Sequence, residues 1–191
     1  MRKFGRGGSQ AKEELWRDFE AEALPCLADL YRLAMWLTRN KDEAEDLVQD
    51  TLTEGLKSFD RYQRGTNCRA WITTIMYHLN QKRLSRIGRM RIVDMPEEQM
   101  AETVPFEPGV PENLTDEEII STIGDLPEIF RQVVVLSDVE EFSYKEIASI
   151  LGVPLGTVMS RLSRGRKVLR LQLAGHAQAS GFHVNRKSCG G

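Results

Sequence analysis

Apolar residues return every third or fourth position along most of this chain, and no stretch alternates apolar and polar residues with period two between turn residues. Such spacing gathers side chains on one side of an α-helix and leaves a strand without a buried face, so the fold class it dictates is all-α. A first helical region covers 15–40, where Leu27, Leu30, Tyr31, Ala34 and Leu37 share an apolar face and Pro25 interrupts the run. Asp42 and Glu45 have capping-box spacing ahead of a second helix with Leu47, Val48, Thr51, Leu52, Leu56 and Phe59 inward. The segment 60–67, with Gly65, Thr66 and Asn67, reads as a loop into a third helix that starts near Cys68. Its packed residues are Ile72, Ile75, Met76 and Leu79, with Trp71 at the border.

Periodicity fails between 91 and 114, where Pro96, Pro105, Pro108 and Pro111 stand among many acids. The chain is therefore expected to form two small helical domains, 12–91 and 115–173, joined by a flexible acidic linker at 92–114 and followed by a disordered tail at 174–191. In the second domain Thr115 with Glu118 opens a helix, Leu126-Pro127 punctuates before another through Phe130 and Leu136, and Ser143 with Glu146 caps a short helix ending at Gly152-Val153-Pro154. A last helix runs over 155–173.

Net charge is only -2, which alone argues against nucleic acid. The distribution says otherwise. From Asp42 to Asp60 the acids face the single base Lys57, whereas 61–91 holds Arg61, Arg64, Arg69, Lys82, Arg83, Arg86, Arg89 and Arg91 and no acid. Acids return alone between Asp94 and Glu128, and after Glu146 none remains while Arg161, Arg164, Arg166, Lys167 and Arg170 follow. A solvated surface mixes both signs, so this segregation points to two polyanion-binding surfaces separated by acidic ones. The first ten residues lack an apolar run behind Arg2, Lys3 and Arg6, so neither a signal peptide nor a membrane span is expected and the location is cytoplasmic. Cys26, Cys68 and Cys189, odd in number and widely spaced, read as unpaired thiols. No metal site, cofactor or catalytic constellation is expected: there is no nucleophile with a base, no glycine-rich phosphate loop and no ligand at metal spacing from His78. His176, His183 and Cys189 of the tail are read as carrying no metal.

A capped short helix, a glycine turn and a second helix over 143–170 give the outline of a helix-turn-helix. On the second helix Leu155, Val158, Leu162, Gly165 and Leu169 share the packed face, and Ser160, Ser163, Arg164, Lys167 and Arg170 lie opposite. Gly165 on a packed face costs about 1 kcal/mol of helix propensity, which fits a second backbone approaching there. Arginine can bond guanine twice, serine a base edge, and lysine neutralises phosphate. On the third helix of the first domain, Thr73, Thr74, Tyr77, Gln81 and Ser85 are expected outward with His78 at the edge, which makes Tyr77 a candidate for stacking on unpaired bases. Asp46, Asp50 and Glu54 on the acidic helix repel phosphate, so its outward stripe of Asp46, Gln49 and Asp50 needs a basic protein partner or only water.

Asp42-Glu-Ala-Glu-Asp-Leu-Val-Gln-Asp50, Gly65-Thr-Asn-Cys-Arg-Ala-Trp71, Phe142-Ser-Tyr-Lys-Glu-Ile-Ala148 and Gly152-Val-Pro-Leu-Gly-Thr-Val-Met-Ser-Arg-Leu162 together resemble the extracytoplasmic-function sigma factors of the sigma-70 family. The resemblance implies region 2 in the first domain and region 4 in the second, and an alternative sigma factor that directs core RNA polymerase to promoters. It implies that Asp46, Gln49 and Asp50 dock on a β′ coiled coil, with the β subunit also a partner. It implies that Arg61, Arg64, Asn67, Trp71, Thr74, Tyr77, His78 and Gln81 serve the minus-10 element. Met159, Ser160, Ser163 and Arg164 would then read the minus-35 element, with Arg161, Arg166 and Lys167 nearer phosphate, and an anti-sigma factor would be a further partner. His78 stands where many relatives carry Asn and Met159 where many carry a basic residue, so base preference does not transfer at either. A self-sufficient helix-turn-helix regulator and a protein that sequesters another transcription factor are the rival readings; the first leaves the acidic helix unexplained and the second the basic segments.

Overall fold

The computed structural model describes residues 7–86 and 115–179, and among them every regular element is helical, as the periodicity requires. The chain divides into two compact units. The first comprises α1 (Gly7–Ala23), α2 (Leu27–Thr38), α3 (Lys41–Ser58) and α4 (Cys68–Arg86); the second comprises α5 (Asp116–Asp125), α6 (Glu128–Val134), most of α7 (Tyr144–Leu151) and α8 (Leu155–Ala179). The linker expected at 92–114 lies outside the described residues, as does the tail beyond 179.

In the first unit Pro25 falls in a 3-10 turn, Leu24–Cys26, that separates α1 from α2, because proline has no N–H to extend the helical ladder. Arg39 ends α2 in the left-handed conformation (φ 55°), and Asn40, extended, then caps α3 by accepting the Glu43 N–H at 3.0 Å. This corrects the cap expected at Asp42. Arg39 reverses the chain so quickly that the extended backbone a cap needs falls at Asn40, and Asp42 and Glu43 instead occupy the first turn, where carboxylates oppose the helix dipole.

Helix α4 packs most extensively on α3 but also meets α1 and α2. Its buried arc is correspondingly wide: Cys68, Ile72, Thr73, Met76, Tyr77 and Asn80, with Ile75 and Leu79 only half-buried. Thr73 and Tyr77, expected outward, are core residues, and Tyr77 is only 1% exposed. Phe19, Phe59, Tyr62 and Trp71 form a chain of aromatic contacts with ring centroids 5.0 to 6.1 Å apart where the loop enters α4.

The second unit opens on a complete capping box: the Glu118 N–H donates to Thr115 Oγ1 at 3.2 Å and the Thr115 N–H to Glu118 Oε2 at 2.9 Å. Ser143 and Glu146 repeat the arrangement ahead of α7, at 3.3 and 2.8 Å. Between α6 and α7 the chain makes a π-type turn, Val135–Val139, and Gly152 (φ +64°) supplies the left-handed turn before α8. Val158, Leu162 and Gly165 point inward as expected, while Leu155 stays exposed. A Cβ on Gly165 would lie 3.1 Å from Val134 Cγ2 and 3.2 Å from Phe130 Cβ, so α6 does approach α8 closely there. Helix α8 continues past 173, with Leu173 and Ala174 buried, to Ala179.

Candidate nucleic-acid interface

On α3, Leu47, Val48 and Thr51 are buried, which turns Asp46, Gln49 and Asp50 to the outside, all three exposed. Arg83 of α4 reaches the start of this stripe: its Nη1 donates to the Glu43 carbonyl at 3.2 Å and its Nη2 lies 3.7 Å from Asp46 Oδ2. Gln49 and Asp50 continue the same face by about one helical turn.

The loop before α4 is fastened at several points. Tyr62 donates its hydroxyl to the Thr66 carbonyl at 2.7 Å, Thr66 donates to the Gln63 carbonyl at 2.7 Å, and Asn67 Oδ1 accepts the Ala70 N–H at 3.2 Å as the cap of α4. Burial raises the Tyr62 phenol above its ordinary value against the lowering effect of the Thr66 bond, so it remains a donor. Arg61 is exposed, and Arg64 is ion-paired with Asp18 of α1. Beyond the loop, half-buried Trp71, Thr74 (its hydroxyl bonded to the Ala70 carbonyl at 2.9 Å), exposed His78 and half-buried Gln81 follow one another at helical spacing along a single ridge. Tyr77 is not on it. The aromatic that reaches this surface is Trp71, packed at 5.0 Å against Tyr62.

On α8 Met159 and Ser163 are exposed, while Ser160, Arg161, Arg164 and Lys167 are half-buried, the Ser160 hydroxyl donating to the Thr157 carbonyl at 3.1 Å. Arg166, expected nearer phosphate, is bonded within the unit. Its Nε donates to Asp138 Oδ2 at 3.0 Å and its Nη2 to Asp138 Oδ1 at 2.5 Å and Ser137 Oγ at 3.3 Å, because α8 runs beside the turn that carries both residues. Burial raises the Asp138 carboxyl, but hydrogen bonds from Arg166 and Ser137 outweigh it and hold the group below its ordinary value. The same bond to Asp138 raises the Arg166 guanidinium further. Residue spacing carries no sign of this pair, nor of Arg69, which places its Nε 2.7 Å from Asp29 Oδ2 and so joins the start of α4 to α2. Cys26 and Cys68, expected as unpaired thiols, are both free and buried, and the Cys26 thiol donates to the Glu22 carbonyl at 3.6 Å.

Comparison with known proteins agrees with this arrangement unit by unit. The family model for sigma-70 region 2 matches residues 25–90, and that for sigma-70 region 4 matches residues 116–169. The chain is 38% identical over 180 residues to the ECF RNA polymerase sigma factor SigE of Mycolicibacterium smegmatis, covering 91% of this chain and 67% of that protein. It is 34% identical over 148 residues to the ECF RNA polymerase sigma factor EcfG of Rhodopseudomonas palustris, covering 78% and 81%. Among solved structures, the sigma factor RpoE in complex with the anti-sigma factor NepR from Bartonella quintana aligns with a TM-score of 0.64 at 31% identity, covering 82% of this chain and 97% of that one. CnrH in complex with the cytosolic domain of CnrY aligns at 0.61 and 22% identity, over 87% and 94%, which speaks to the fold. With an acidic α3 and an acid-free α4 in one unit, a helix-turn-helix in the other, and both matched in chain order, the chain belongs to the extracytoplasmic-function sigma factors of the sigma-70 family, non-enzymatic proteins that act in transcription initiation.

Proposed function

We propose that this sigma factor docks on core RNA polymerase through Asp46, Gln49 and Asp50 of α3, against a basic coiled coil of β′, with β as a second contact. The observation that carries this reading is the proximity of two surfaces that cannot share a partner: the exposed acidic stripe of α3 repels phosphate, and α4 beside it holds no acid at all. In the same reading the ridge Trp71, Thr74, His78 and Gln81, with Arg61 of the loop, receives the minus-10 element, Trp71 offering a stacking surface. Met159, Ser160, Ser163 and Arg164 face the minus-35 bases, and Arg161 and Lys167 lie nearer phosphate. Arg64 and Asn67 act by shaping the loop, since one is paired with Asp18 and the other caps α4. RpoE was solved bound to an anti-sigma factor, which supports an inhibitor of that kind as a further partner. The site of action is the cytoplasm, where polymerase and promoter meet; among the described residues no helix is long and apolar enough to cross a membrane.

Reversing Asp46 and Asp50 to lysine should weaken assembly with core polymerase by at least about 100-fold, since like charges would then meet at the docking surface. Helix content by circular dichroism should be unchanged, because exposed charges contribute little to folding. Undiminished co-elution of the folded double variant with core polymerase would remove α3 as the docking element.

A further inference from the structure

No acid stands in α8 itself, which carries Arg161, Arg164, Arg166, Lys167 and Arg170. The fold nevertheless brings a carboxylate to it. Asp138 arrives from the π-type turn, 28 residues earlier in the chain, and accepts from Arg166 through both oxygens, at 3.0 Å from Nε and 2.5 Å from Nη2. Ser137 Oγ accepts from the same Nη2 at 3.3 Å. The pair is not sealed in the core, since the two side chains keep 38% and 34% of their surface. It stands at the rim of an exposed face. Arg166 follows Met159 by seven residues and Ser163 by three, so the three lie along one side of α8, and Met159 and Ser163 are exposed.

We propose, on the reading that α8 meets the minus-35 element, that Asp138 is a specificity-determining residue, which withholds the Arg166 guanidinium from the DNA backbone. A phosphate contact strengthens binding to any sequence, because phosphate is the same at every base pair, whereas a contact to a base edge favours one. A free cation at the rim of the reading face therefore adds affinity for all DNA alike. A promoter must compete with a large excess of other DNA, so affinity that carries no sequence information does not help it. Asp138 occupies the Nε and Nη2 donors of Arg166, the fork with which a guanidinium clamps a phosphate in two parallel bonds. It also sets a negative charge beside the exposed face, where it opposes the backbone. Released from Asp138, the Arg166 side chain starts from the same side of α8 as Met159 and Ser163.

The test uses the full chain assembled with core polymerase, kept cold so that the DNA stays paired, and binding is measured over a range of salt. The probes are a promoter duplex that this holoenzyme transcribes and the same duplex with its minus-35 segment scrambled. Each phosphate contact adds about 0.9 to the steepness of log K against log salt. Asp138→Asn should steepen the plot by about 0.9 and tighten both duplexes several-fold, with a preference for the promoter no greater than the parent's. Arg166→Gln alone should keep the parent slope, and combined with Asp138→Asn it should bring the slope back. A pair that merely held the turn to α8 gives the opposite sign: Asp138→Asn would bind the promoter more weakly with no rise in slope, and that result overturns the proposal. So does a raised slope that survives in the double variant, or a fall of about 0.9 in Arg166→Gln alone, which would put Arg166 on phosphate already. Lys167→Gln separates this proposal from the reading beneath it, because its slope should fall by about 0.9 if α8 lies on DNA. If it falls while Asp138→Asn keeps the parent slope, the withholding alone fails; if it does not fall, both fail. Should Asp138→Asn not fold, Arg166→Gln decides alone, an unchanged slope supporting the proposal and a fall overturning it.

Discussion

Tyr77 and Trp71 sit less than two turns apart on α4, one buried and the other half-buried, and the proposed reading gives them different work. Tyr77 is 1% exposed, so cutting it to alanine empties part of the core of the first unit and should cost about 3 to 5 kcal/mol in urea unfolding, like other large aromatic truncations. Any transcription defect of Tyr77→Ala should then be the same on a fully paired promoter and on one already mismatched at minus 10. Trp71→Ala should behave otherwise. Stacking on an aromatic returns about 1 to 3 kcal/mol per base, so losing it should slow initiation on the paired template and be largely relieved on the mismatched one. If run-off assays gave recovery for Tyr77→Ala and none for Trp71→Ala, the assignment of the two rings would be reversed. Asp138 gives a second prediction at this scale. Its carboxyl is held below the ordinary 3.8, so the stability it confers is present above that value and is lost as pH falls through the lower folded value. Denaturation followed against pH should show a shallower acid limb, below about pH 4, in Asp138→Asn than in the parent. Superimposable limbs would mean that the Asp138–Arg166 pair contributes nothing to folding.

Among the elements, α8 joins helix propensity and packing in direct conflict. Alanine at 165 gains about 1 kcal/mol of propensity, but its methyl would press on Val134 and on Phe130 Cβ at 3.1 and 3.2 Å, and overpacking typically costs about 1 to 3 kcal/mol. Phe130 Cβ is fixed to the backbone of α6 and has little room to give. Gly165→Ala should therefore be net destabilising by about 1 kcal/mol in urea unfolding of the second unit; a stabilised variant would mean that α6 and α8 separate easily. The contact is legible in the sequence because a glycine on an apolar helical face gives up propensity that only a close neighbouring backbone makes worthwhile. Capping boxes at Thr115 and Ser143 are legible because all their atoms lie within four residues. The orientation of α4 is not. A single apolar stripe assumes one packing partner, whereas α4 meets three helices, and the arc they cover takes in Thr73 and Tyr77. Arg166 with Asp138, and Arg69 with Asp29, lie beyond the reach of sequence because each pair is made by the fold between distant segments, without a spacing rule to announce it.

At the scale of the whole molecule, a net charge of -2 conceals a division of labour: an acidic helix and an acid-free helix in one unit, and a basic helix-turn-helix in the other. A self-sufficient regulator would use only the second unit and would have no need of an acidic helix. The proposed reading uses both, with polymerase held by a surface that does not compete with DNA and the minus-10 and minus-35 elements met by different units. The measurement that separates these accounts most directly is transcription and DNA binding with core polymerase alone, the chain alone, and the two together, on one pool of promoter fragments at constant salt. Sequence-specific run-off transcripts should arise only from the combination, with the chain alone selecting no fragment from the pool. Selection of the same fragments by the chain without polymerase, together with transcripts no more specific than those of core enzyme by itself, would contradict the account.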